Sequence, residues 1–239
     1  MFIVVDVSMR IEKNLLISLL KLTRTNHVLA ECVKKDARIS DYIARNLLKK
    51  LQNEGLLYLK GDLVELGTAN RLRLAVRAIS LGADVEEVSS FLEWQEFEAI
   101  AAVALEKNGY FTNKNLRFKY SNRRYEIDVV GCKKPLVLCI DCKLWQRGLK
   151  SSATRKIVEA QVARTCALAT TLPSPLLKIE CVKWNKAKFI PVILSLIPSN
   201  FKFYEKVPVV PILQFQDFLA QLSAYVEYLK YFSKEFNHL

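Results

Sequence analysis

Asp141-Cys142-Lys143 closes an apolar run, Leu136-Val137-Leu138-Cys139-Ile140, and an acid followed two residues later by a base is a pairing with chemical meaning. Side chains alternate along an extended chain, so Asp141 and Lys143 project to one face and Cys142 to the other. The preceding extended run carries Glu126 and Asp128, again two apart. If the two runs are neighbours in a meander, Asp128 approaches Asp141. Adjacent carboxylates repel, and one tends to stay protonated unless a cation is shared between them. Oxygen ligands beside a lysine suit Mg²⁺ or Mn²⁺, which also take water and phosphate oxygens.

These acids stand in basic surroundings. Residues 107 to 156 hold 13 Lys and Arg against three acids, Glu126, Asp128 and Asp141, in a chain of 239 residues with a net charge of +12. The excess points to a polyanionic partner. Residues 1–92 carry a net +3 and residues 93–239 a net +9, so most of it lies in the second half. Lys114 to Arg124 alternates bases with apolar residues, Arg117 and Lys119 against Leu116, Phe118 and Tyr120, as a strand following a nucleic-acid backbone would. Any half-buried strand shows the same alternation. Arg147, Lys150, Arg155 and Lys156 follow Lys143 and form a candidate phosphate clamp.

Absences exclude other chemistry. Two histidines, His27 and His238, do not support a histidine nuclease, a His-rich zinc site or a Ser-His-Asp triad. Seven glycines form neither a G-x-G-x-x-G nor a P-loop pattern, so no nucleotide cofactor is expected. Cys139 and Cys142 match C-x-x-C, but within a strand they point to opposite faces, and the six cysteines read as reduced thiols. No apolar run approaches the ~18 residues that span a bilayer. The opening Met-Phe-Ile-Val-Val-Asp has no basic leading segment, so no membrane partner and a cytoplasmic location are expected.

The elements that must position these residues follow from periodicity. Leu15, Leu16, Leu19, Leu20 and Leu22 mark a helix over 11–22, and a second helix fits 27–34. A third has Ser40 as N-cap, Ile43, Leu47, Leu48 and Leu51 on one face, and Gly55 as its stop. Its other stripe is Tyr42, Arg45, Asn46, Lys49 and Asn53. Residues 56–59 and 63–66, around Lys60-Gly61-Asp62, read as a β-hairpin. Helices over 69–81 and 85–91 connect to a helix carrying Phe97, Glu98, Ile100 and Leu105. Strands are expected over 115–120, 123–132 and 136–145 as an antiparallel meander, with closing strands over 188–197 and 207–212. A last helix is expected to carry Leu222, Tyr225, Val226, Leu229, Phe232 and Phe236, a core stripe or a homodimer face.

Three helices and a hairpin over residues 10 to 68 resemble a winged helix-turn-helix, with Leu47 to Leu57 similar to the recognition helix and first wing strand of archaeal members. The resemblance implies that Arg45, Asn46 and Lys49 enter the DNA major groove. The rival is a solvated helix face on a module used for protein contacts.

Phe97-Glu98-Ala99-Ile100 leading to Gly109-Tyr110, then Tyr125-Glu126-Ile127-Asp128, Cys139-Ile140-Asp141-Cys142-Lys143 and a helix with Gln161, resemble the PD-(D/E)XK nuclease superfamily. Archaeal Holliday-junction resolvases and methylation-dependent restriction enzymes are the members it resembles most. The likeness spans residues 93 to 200 and departs where Ile127 replaces the proline that names the motif. It implies that Asp128 and Asp141 bind metal, that Glu98 binds metal or holds water, that Lys143 positions the attacking water or offsets phosphate charge, and that Gln161 supports the site or touches the nucleic-acid backbone. The rival here is a strand-end ion pair between Asp141 and Lys143.

The fold class expected is therefore α+β: a winged helix-turn-helix over 1–68, a helical connector over 69–92, and a restriction-endonuclease-like α/β/α domain with a central mixed sheet over 93–239. The function expected is a Mg²⁺- or Mn²⁺-dependent DNA endonuclease, leaving 5′-phosphate and 3′-hydroxyl ends by the resemblance. The alternatives are a non-catalytic DNA-binding regulator with a degenerate nuclease domain, and a nuclease directed at RNA.

Overall fold

The structure, a computed structural model, describes residues 2–25, 27–144, 151–199 and 201–236. The chain divides into two compact units, residues 1–97 and 98–239.

In the first unit, α1 (Phe2–Leu22) buries Leu15, Leu16, Leu19 and Leu20 completely. After it come β1 (His27–Leu29), α2 (Ala30–Ala37), α3 (Asp41–Asn53), β2 (Tyr58–Lys60), β3 (Leu63–Glu65), α4 (Thr68–Ser80) and α5 (Val85–Ser90). The stretch 27–34 is thus not one helix. His27–Leu29 pair antiparallel with Leu63–Glu65 instead, which satisfies backbone groups that a helix start leaves open, and the strands run in the order β1-β3-β2. Ser40 occupies the N-cap of α3 without a side-chain bond, and Gly55, at φ +68°, ends that helix region as only glycine does cheaply. Arg71 on α4 is 3% exposed: it pairs with Glu96 at 2.7 Å and donates to Thr23 Oγ1 and to the carbonyls of Leu20 and Phe91.

The boundary between the units falls inside α6 (Trp94–Lys107). The second unit continues with β4 (Phe111–Tyr120), β5 (Arg123–Lys133), β6 (Leu136–Lys143), α7 (Ser151–Thr171), β7 (Lys186–Ser195), β8 (Phe203–Tyr204), β9 (Val207–Pro211), α8 (Phe215–Tyr225) and β10 (Phe232–Glu235). A mixed sheet runs β4-β5-β6-β7-β9-β8: the first three strands form the antiparallel meander, while β6–β7 and β7–β9 are parallel. Fully buried Val137, Leu138, Cys139 and Ile140 make β6 the centre of this sheet, as its unbroken apolar run implies. Gly131 on β5 packs against Leu105 of α6, while its neighbours Val130 and Cys132 join the cluster with Ala167, Leu168 and Leu172 of α7. The two helices therefore cover opposite faces of β5.

The expected last helix is shorter than its apolar period suggested. α8 stops at Tyr225, and Phe232–Glu235 form a strand on the edge of β7. β9 pairs only with residues 193–195 of β7, which leaves 186–189 open to β10 on the same side. Pro191, which has no N–H to give, falls in the gap between those two partners. Among the described residues no helix is long and apolar enough to cross a membrane.

Candidate active site

The site lies in the second unit, where the pairing of β5 with β6 ends. Val129 pairs with Ile140, and one step further in that register Asp128 lies opposite Asp141, where the ladder stops. The Asp128 carboxylate takes over from the backbone: its Oδ2 accepts from the N–H of Cys142 at 2.7 Å. On the other side of β5 the pairing with β4 also skips Asp128. Lys114 pairs with Val129 and Leu116 with Ile127, while Asn115 between them has φ 51°, a region that asparagine enters more easily than most residues. Ile127 and Val130, three apart, both join the cluster under α7, which strict alternation forbids. β5 thus changes face at Asp128.

Asp141, 3% exposed, is held from two sides. Lys143 Nζ lies 2.8 Å from its Oδ2, as the period of two implies, and Arg164 Nη1 donates to its Oδ1 at 2.9 Å. Arg164 also reaches Gln161 Oε1 at 3.3 Å, and the fully buried Gln161 donates through Nε2 to the carbonyl of Cys139 at 2.8 Å. One face of α7 is thereby pinned to β6. Arg164 is the residue that sequence reasoning missed. Its signal was its place three residues after Gln161, one turn along the same helix face.

Burial raises the carboxyl of Asp128 to a pKa of about 6, and the negative charges of Asp141 and Glu98 push it the same way; the Cys142 N–H and Lys143 oppose them. Glu98 is 5% exposed on α6 and acts on the same carboxylate. Glu126, in contrast, is committed to Arg117 across the strand pair at 3.0 Å. The thiols of Cys139 and Cys142 are buried and pushed upward, so neither is a ready thiolate.

Among the described residues no three His, Cys, Asp or Glu side chains form a ready metal cage. The donor chemistry nevertheless fits a hard divalent cation, since Mg²⁺ is commonly held by one or two carboxylates with waters and substrate phosphates filling its shell. Asp128 meets that condition most directly: its ionised form is opposed by burial and by neighbouring acids, a conflict that a cation removes.

The residues predicted to contact nucleic acid are spread over both units. On α3, Arg45, Asn46 and Lys49 are exposed, with Arg45 paired to Asp41 at 2.8 Å. On β4, Arg117 and Lys119 are exposed. Arg155 and Lys156 on α7 are exposed, and Arg155 pairs with Glu159 at 2.7 Å. Exposed pairs of this kind are weak and open readily. Arg147 and Lys150 lie outside the described residues.

No family model matches the chain. An uncharacterized protein of Archaeoglobus fulgidus is 29% identical over 136 residues, 56% of this chain and 95% of that protein. Among solved structures, the Vibrio cholerae protein VC1899 gives a TM-score of 0.37 at 13% identity, covering 92% of this chain and 53% of that one. AF1548, a crystallised protein of unknown function, gives 0.29 at 18% identity, covering 41% and 44%. The chain thus spans about half the length of these solved structures, and likenesses of this size carry no argument about activity.

Proposed function

We propose that the protein is a Mg²⁺- or Mn²⁺-dependent endonuclease acting on DNA, with its active site at Asp128, Asp141 and Lys143 and a winged helix-turn-helix in the first unit that contacts DNA. The observation that carries this reading is the meeting of Asp128 and Asp141 at the end of the β5–β6 ladder, with Lys143 2.8 Å from Asp141. The nuclease-like pattern of motifs and the basic stretch around it point the same way.

Asp128 and Asp141 would hold the cation, with Glu98 contributing charge or holding a water. When bound, the cation supplies Lewis-acid polarisation of the phosphodiester and a water of lowered pKa. Lys143 orients that water or meets a phosphate oxygen with its ammonium. Gln161 fixes β6 two residues before Asp141, through the Cys139 carbonyl, and so keeps Asp141 in place. In the first unit, the exposed Arg45, Asn46 and Lys49 stripe of α3, next to the three strands β1-β3-β2, supports the winged-helix reading.

A second reading, DNA binding without cleavage, draws on the ion pairs that already neutralise Asp141 through Lys143 and Arg164. Incubating the protein with labelled duplex, junction, flap and single-stranded DNA and with RNA, with and without Mg²⁺ or Mn²⁺, separates the two. Cation-dependent cuts in DNA support the nuclease; tight binding with no cut under any condition supports the second reading.

A further inference from the structure

We propose that Arg164 is a transferable counter-ion: it holds Asp141 while the site is free of cation, and it passes to a phosphodiester oxygen of the substrate when a cation takes the carboxylate. This rests on the cation-dependent nuclease reading above. Asp141 is almost fully buried, and a carboxylate there needs a positive partner. It has two of different character. Lys143 is fixed two residues away on the same strand, whereas Arg164 reaches across from α7.

Arg164 engages the site through Nη1 alone, which serves Asp141 Oδ1 and Gln161 Oε1. Its Nε and Nη2 make no hydrogen bond to any described residue, and the side chain is 29% exposed. A guanidinium anchored at one nitrogen keeps the rest of its fork for a second oxyanion, and planar two-point contact with phosphate is what arginine does better than lysine. The Arg164–Asp141 bond and cation binding compete for the same carboxylate. Phosphate offers the displaced guanidinium a new acceptor, so cation and DNA strengthen each other's binding, and linkage makes that coupling reciprocal.

The test uses the full chain. Mn²⁺ affinity is measured by calorimetry without DNA, and duplex affinity by anisotropy with and without Ca²⁺, with the DNA checked for integrity. Arg164→Gln should bind Mn²⁺ about tenfold more tightly than wild type, having lost its internal competitor, yet lose about tenfold of the Ca²⁺-dependent gain in DNA affinity. Arg164→Lys should retain part of that gain, and it carries the test if thermal unfolding shows that Arg164→Gln is not folded. Weaker Mn²⁺ binding in Arg164→Gln would mean that the arginine only props Asp141, and an unchanged Ca²⁺ effect on DNA would mean that it never meets phosphate; either overturns the proposal. A wild-type protein that binds no Mn²⁺ overturns the nuclease reading itself.

Discussion

The carboxylate of Asp128 does the work of a backbone carbonyl for Cys142, accepting its N–H at 2.7 Å where the β5–β6 ladder ends. That single bond ties a titratable group to the geometry of the site. It also places Asp128 where burial and two other acids oppose its ionisation.

A pH dependence follows. The folded-state pKa of about 6 lies above the ordinary value of 3.8, so the fold favours the protonated form. The stability this contributes is fully present below about pH 4 and is lost as pH rises through about 6, amounting to roughly 3 kcal/mol at most. Without divalent cations, Asp128→Asn should therefore gain stability over wild type between those values and keep the gain at pH 7.5. Denaturant titrations at several pH values measure it; a variant less stable than wild type throughout would show that the charged carboxylate is well compensated.

Arg71 governs the first unit in a different way. Its guanidinium is buried with Glu96 and joins the end of α1, the end of α5 and the start of α6 through four partners. Arg71→Met leaves Glu96 as a buried unpaired charge and should cost about 3–5 kcal/mol in chemical unfolding. A loss below 1 kcal/mol would mean that water reaches Glu96.

Gly131 sets how closely α6, which carries Glu98, packs on β5. A Cβ there would stand 2.9 Å from Leu105 Cδ1 and 3.0 Å from Cδ2. Gly131→Ala should destabilise the protein by about 1–3 kcal/mol, read from the unfolding midpoint. No change would mean that Leu105 has room to move aside.

Parts of this arrangement are legible in the sequence because they depend on local rules. The shared face of Asp141 and Lys143 needs only the strand period, and the approach of Asp128 needs only the turns of a meander; the 2.8 Å ion pair and the register of β5 with β6 agree with both. Other parts are set by tertiary contacts. Arg164 meets Asp141 from 23 residues further along the chain: its place one turn after Gln161 puts it on the same helix face, but the contact itself depends on how α7 docks on β6. The change of face at Asp128 is hidden because residues 123–132 read as one unbroken strand. Phe232 and Phe236 fit a helical stripe, but the open edge of β7 takes Phe232–Glu235 as a strand. Nothing adjacent to Arg71 marks it as buried, since exposed arginines are common on helices of this kind.

Cation-dependent hydrolysis by the carboxylates and lysine at the end of β6 is read from the cleavage rates of wild type, Asp141→Asn and Lys143→Ala on one labelled DNA substrate with Mg²⁺ or Mn²⁺. Each of these groups acts at the reacting phosphate in this account, so each variant should lose at least about 10²-fold in rate while retaining DNA binding. Turnover near the wild-type rate in either variant, with the protein folded and cation present, would contradict the assignment.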